Sequence, residues 1–198
     1  MNRRRPGTHV RPIVSLLLAI GCGTTEASRF YLLTPMPAAA EQARADSAGP
    51  AIVLGPLEIP EYLDRPEIVT HDGGPIIALA EFDRWAEPLR QNLARVLAEN
   101  LSALLRTERV IAFADRSTQP RDCDVRVSVV SFDGVPGEAI TLVARFTVVR
   151  HADSEASIIR KAVIVKPAGP GRDFATFVAA ASAAVAELSQ EIAAAIRG

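Results

Sequence analysis

The sequence predicts a single α/β domain of three-layer type, with a mixed, partly antiparallel sheet and two long amphipathic helices. Two segments, 88–106 and 173–196, repeat apolar residues at helical spacing. One short and three long strand-like runs lie between them. The chain of 198 residues, less an N-terminal stretch that reads as a signal, is the size of one domain with a real core.

In chain order the signal comes first. Arg3, Arg4, Arg5 and Arg11 precede an apolar run, residues 13–21, broken only by Ser15. A membrane-spanning helix needs roughly 20 apolar residues, so this run is too short to span. A basic region, a short apolar region and small residues make a secretory signal. Its end, Ala19-Ile20-Gly21-Cys22, resembles the lipobox of bacterial lipoproteins. That resemblance implies a diacylglyceryl group on the Cys22 sulfur and cleavage just before it. The expected organisation is a signal peptide at 1–21, a lipidated tether at 22–28 and one domain at 29–198. An ordinary signal peptide with a chance cysteine is the alternative. A Cys22–Cys123 disulfide would compete with lipidation, since one sulfur cannot do both. With Cys22 acylated, Cys123 is expected to be a small buried residue opening a strand.

Four of the 22 basic residues and none of the 23 acidic ones fall in 1–21, leaving the mature chain at about −5. Nucleic acid, which demands a basic footprint, is a poor match. Charge gives no reason for docking on anionic lipid either, so membrane attachment falls to the lipid on Cys22.

Residues 29–33 read as a first strand and 34–50 as an Ala- and Pro-rich surface loop. Residues 51–60 form a strand interrupted at Gly55-Pro56. A hairpin follows, 67–71 and 76–81, around Asp72-Gly73-Gly74-Pro75. In the first helix Leu89, Leu93, Val96, Leu97, Leu101, Leu104 and Leu105 share a face. Pro88 suits its first turn, Asp83 is expected to cap it, and Glu87 favours its dipole. Residues 109–114 are a strand. The runs 125–132, 139–150 and 157–166 should pair antiparallel. The last helix carries a stripe from Phe174 through Ala181 and Leu188 to Ile196, with Asp173 as its cap. Both helices are expected to cover one mixed sheet that ends in a meander.

Chemistry-bearing motifs are few. His71 and His151 fall in separate predicted strands, with no Cys or His at ligand spacing, so no metal is expected. There is no Gly-x-Ser-x-Gly and no nucleotide loop, so neither a catalytic residue nor a cofactor is assigned. The Gly-rich stretch 168–174 lacks the Lys-Ser/Thr ending of a P-loop. Nothing requires Asp64, Asp83 and Glu87 to act as paired carboxylates.

Three separated motifs stand out: Tyr31-Leu32-Leu33, then Ile59-Pro60-Glu61-Tyr62-Leu63-Asp64-Arg65-Pro66, then Arg84-Trp85-Ala86-Glu87-Pro88-Leu89. In this order they resemble the ABC-type transport auxiliary lipoprotein family, also called the PqiC/YmbA family, over residues 29 to about 195. The resemblance implies a three-layer α/β sandwich. It also implies an accessory lipoprotein of an ABC/MCE system that moves phospholipid or other hydrophobic molecules between membranes. Its site would be the periplasmic face of the outer membrane, and its partner an MCE-domain protein. Ring-like self-assembly is known in that family, and the oligomeric state of this chain is left open. Gly23, where an Asp would mark inner-membrane retention, agrees with the outer membrane.

Within the second motif Pro60 and Pro66 bracket a stiff turn. Tyr62 and Arg65 are the candidate partner contact, both being common interface anchors. The competing expectation is that Tyr62 packs on the core and Arg65 pairs with Asp64 or Glu61. Trp85 reads as a core plug rather than a ligand platform. Two function classes remain: a non-catalytic, lipid-anchored adaptor, and a periplasmic lipoprotein enzyme such as a hydrolase. The lack of a nucleophile–base constellation counts against the second.

Overall fold

The structure, a computed structural model, describes residues 26–37, 49–112, 120–151 and 156–198. The signal, Cys22, most of the expected loop and the end of the 109–114 strand lie outside the described residues.

Eight strands, two α-helices and one 3-10 turn make up the described chain. The strands are β1 (Arg29–Tyr31), β2 (Ile52–Glu58), β3 (Glu67–His71), β4 (Ile77–Trp85), β5 (Val110–Ala112), β6 (Cys123–Val135), β7 (Ala139–Arg150) and β8 (Ala156–Pro167). The helices are α1 (Leu89–Leu105) and α2 (Phe174–Arg197), and the 3-10 turn is Glu61–Leu63.

A five-stranded sheet in the order β5-β2-β6-β7-β8 forms the frame. β2 runs parallel to β5 and β6, and β6, β7 and β8 form the expected antiparallel meander. Strict alternation decides which face is covered. Val125, Val127, Leu142, Ala144, Phe146, Val148, Ala162 and Ile164 are buried, while Arg145, Lys161 and Val163 face outward. α2 lies across β7 and β8, and α1 packs on α2, β2 and β5. Ala181, Ala184 and Ala193 line the buried side of α2, where a larger side chain would hold the layers apart. By length and composition α2 could cross a membrane, but most of it is buried inside this domain, as in a core helix. Between the helices, Asn100 Nδ2 donates to Ser189 Oγ at 3.1 Å, satisfying two buried polar groups. Cys123 opens β6 and is buried, as its position suggested.

β1, β4 and β3 form a separate three-stranded sheet, so the expectation of one mixed sheet needs correcting. β2 is already flanked by β5 and β6 and has no free edge for the hairpin that follows it. The Pro60 turn then carries the chain out of the larger sheet. At Gly55-Pro56 the β2–β6 register shifts, since Pro56 has no N–H to give the ladder. β4 is longer than expected and reaches Trp85, because Asp83 and Trp85 alternate inward with the strand period.

Asp83 therefore does not cap α1. The N-cap position is Pro88, which makes no side-chain cap bond. Asp173 does cap α2, accepting from the Ala175 and Thr176 N–H groups at 3.3 and 3.0 Å. His151 sits in the turn after β7 rather than within a strand, its Nε2 3.0 Å from Asp124 Oδ2.

Candidate partner-contact site

The three separated motifs meet in space. β1 pairs in parallel with the end of β4, setting Tyr31 beside Trp85. The Ala86 N–H donates to the Tyr31 carbonyl at 2.9 Å, and the Trp85 N–H to the Pro66 carbonyl at 2.8 Å. Arg95, nearly two turns into α1, lies between Glu87 (2.9 Å) and Glu99 (3.1 Å) and reaches the Leu33 carbonyl at 3.5 Å. Burial works against the Arg95 charge, but Glu87 and Glu99 outweigh it and its pKa is raised.

The turn is built locally. Pro60 sits at φ −59° and ψ 146°, at the N-cap of the 3-10 turn. The Leu63 N–H then closes on the Pro60 carbonyl at 3.0 Å and the Asp64 N–H on Glu61 at 3.1 Å. Leu63 is fully buried and pins the turn to the core. Tyr62, half-buried, lays its ring on the core and donates its hydroxyl to Asp133 Oδ2 at 2.5 Å. His71 Nε2 approaches the other oxygen of the same carboxylate at 3.5 Å. Burial, and then the Asp133 carboxylate, push the Tyr62 phenol well above its ordinary pKa. A phenol held protonated and donating is not an activated nucleophile.

Arg65 behaves differently. Asp64, its expected partner, is taken by Arg90 Nη2 at 2.7 Å. Among the described residues Arg65 forms no ion pair, and its buried Nε has no hydrogen-bond partner. It borders an open hollow of about 360 Å³ lined also by Asp64, Pro66, Trp85, Ala86, Glu87 and Pro88. Trp85 is buried in the core, so the indole forms the floor of that hollow rather than a platform above it.

A second polar node braces the same sheet. Asp83, only 5% exposed, accepts from Arg29 Nε (2.8 Å) and Nη2 (3.0 Å) and from the Tyr31 hydroxyl (2.8 Å). Burial and then Asp83 raise the Tyr31 pKa. Sequence reasoning missed Asp83, Asp133 and Arg90 as partners, because each lies 26 to 71 positions from the residue it holds. The Arg95–Glu99 pair, at i,i+4 on a helix, had a local signal. Among the described residues no group of three or more His, Cys, Asp or Glu side chains is placed to hold a metal ion.

These features define an α/β scaffold that presents a stiff, polar-braced turn on a closed apolar core. The chain belongs to the ABC-type transport auxiliary lipoprotein family, whose sequence profile matches residues 31–193 and thus all three motifs. No curated protein matches it. A crystal structure of an uncharacterized protein superposes with a TM-score of 0.69 at 19% identity, covering 86% of this chain and 99% of that one. A Xanthomonas campestris protein of the DUF330 family gives a TM-score of 0.61 at 16% identity, covering 86% and 93%. At these identities the likeness is one of fold.

Proposed function

We propose that the protein is a lipid-anchored, non-catalytic adaptor of an ABC-type system that moves lipid or another hydrophobic cargo between membranes. It is attached through Cys22 to the periplasmic face of the outer membrane and docks an MCE-domain partner. The observation that carries this reading is the convergence of three family motifs on one surface turn, within a chain that belongs to an auxiliary transport family. Tyr62 and Arg65 are the proposed contact. Tyr62 is held by Asp133, and Arg65 borders an open hollow without an internal ion partner.

Three experiments test it. Cys22→Ser should release the protein from the membrane fraction and abolish fatty-acid labelling; retention of both would sink the anchor. Density-gradient fractionation should place the native protein with outer membranes. In a pull-down, Tyr62→Ala with Arg65→Ala should lower recovery of the MCE-domain partner while leaving membrane attachment intact. Unchanged recovery would remove the turn from the interface.

A further inference from the structure

The β3–β4 hairpin exposes Ile76 (68%), Ile77 (45%) and Leu79 (45%) in a single short run. Its tip stands clear of the domain: a Cβ added at Gly73 would meet nothing within 4 Å. β1 pairs only with the last residues of β4, at Asp83, Arg84 and Trp85, so on that side residues 77–82 have no strand partner among the described residues.

The direction of β1 indicates what it meets. β1 is parallel to β4 with Arg29 opposite Asp83, so the chain enters the domain from the hairpin end. Seven steps of chain lead from Cys22 to Arg29, and seven from Ile76 to Asp83. At roughly 3.3 Å per residue, seven steps of chain reach about 23 Å, the same span that separates Asp83 from Ile76, so a lipid on Cys22 is within reach of the level of the hairpin tip. We infer that the hairpin tip is a second membrane contact, in which Ile76, Ile77 and Leu79 enter the headgroup–acyl boundary of the leaflet that holds the lipid anchor. The inference rests on the proposed lipidation of Cys22.

One lipidated cysteine fixes a point but leaves the domain free to swivel. A second apolar foot sets its orientation, as two membrane signals do for other peripheral proteins. The contact is apolar rather than electrostatic. Residues 66–83 contain no Lys or Arg, and the tip carries the acid Asp72, whose Oδ1 accepts the Gly74 N–H at 3.2 Å. Adding anionic lipid should therefore not strengthen it.

The test uses full-length lipidated protein in phosphatidylcholine–phosphatidylethanolamine vesicles doped with shallow doxyl lipids. Ile76→Cys carries an environment-sensitive fluorophore; the native Cys123 is buried and Cys22 would be acylated. Glu108→Cys is the control. It lies next to β5, level with Cys123, and ten β6 residues, about 33 Å, separate Cys123 from the Asp133 that His71 approaches. Quenching at position 76 is expected to exceed that at 108 by at least twofold. Adding Ile77→Ser and Leu79→Ser should reduce it at least twofold, and phosphatidylglycerol should not raise it. Flotation and acyl mass are read on the same samples. An acylated, floating protein with equal quenching at both sites overturns the hairpin contact and leaves the anchor standing. A protein with no acyl chain that does not float overturns the anchor and this inference together. A blue-shifted probe that lipid does not quench shows a protein surface on the hairpin, a second copy or a partner, and also overturns it.

Discussion

The two sheets of this domain share one apolar core but differ in how much of their support is polar. In the five-stranded sheet Phe146, Leu142, Val148 and Ile164 disappear under α2, and the strands run up to 13 residues. The three-stranded sheet buries Ile68, Val69 and Trp85 in the same core but adds side-chain bonds: Asp83 holds Arg29 and Tyr31 within the sheet, and Asp133 of β6 holds His71 of β3 and Tyr62 of the adjoining turn. Burial is non-directional, so the large sheet tolerates any surface chemistry on its far side. Polar bonds fix direction, so the small sheet can hold a turn at a set angle while leaving Arg65 and the hairpin tip available. The large sheet supplies stability and the small one supplies presentation.

The sharpest way to break this comparison is to injure the large sheet. Phe146→Ala removes a fully buried ring between β6 and β8 and should cost about 3–5 kcal/mol, read as a lower urea midpoint. A cost under about 1 kcal/mol would mean that the apolar layer is not the main support.

Tyr62→Phe probes the small sheet. A hydrogen bond to a charged group is worth about 1.5–3 kcal/mol, and half-burial sets this one at the low end, about 1.5 kcal/mol. It also has a pH signature. The unfolded phenol ionises near pH 10, while the folded one, raised by burial and Asp133, keeps its proton. The contribution is thus complete below pH 10 and is lost as pH rises, at about 1.4 kcal/mol per unit. The advantage over Tyr62→Phe should vanish about one unit above pH 10. Tyr31 is raised as well, and it and Tyr62 are the only tyrosines, so phenolate absorbance of the folded protein should not rise at the ordinary value. Phenolate appearing near pH 10 before unfolding would show that neither hydroxyl is held as described.

The sequence made the large sheet far more legible than the small one. Periodicity places α1 within a residue at each end, β7 at its observed bounds, and α2 with its Asp173 cap, because these elements advertise themselves through near neighbours. The small sheet depends on pairs far apart in the chain. A carboxylate ahead of a helix reads locally as a cap, and only Arg29 and Tyr31 across the fold reveal that Asp83 is a cross-strand anchor. The split into two sheets was likewise hidden, since it follows from β2 having both edges occupied. For the candidate site, sequence picked out Tyr62 and Arg65 but not the neighbours that separate their roles.

Asp173→Ala is the internal standard. It deletes one local cap on the large-sheet side and should cost about 1 kcal/mol, read by urea unfolding. No loss would show that α2 is held by its buried stripe alone and that caps add nothing in this half of the molecule.

Arg65→Ala should have the smallest effect on stability and the most informative one on function. The guanidinium forms no ion pair among the described residues, and its buried Nε lacks a partner. Removing it breaks no internal bond of that kind and lifts a desolvation cost, so the urea midpoint should move by less than about 0.5 kcal/mol equivalent. Tyr62→Phe keeps the ring on the core and changes only the bond to Asp133. If the small sheet exists to present Arg65, the two variants should separate. Arg65→Ala should lower capture of the MCE-domain partner at unchanged stability, and Tyr62→Phe should lower stability while sparing capture wherever the protein remains folded. Capture lost only in Tyr62→Phe would make the phenol hydroxyl the contact and Arg65 a bystander. Capture intact in both would move the interface off this turn, and the small sheet would then have to be explained by its hairpin alone.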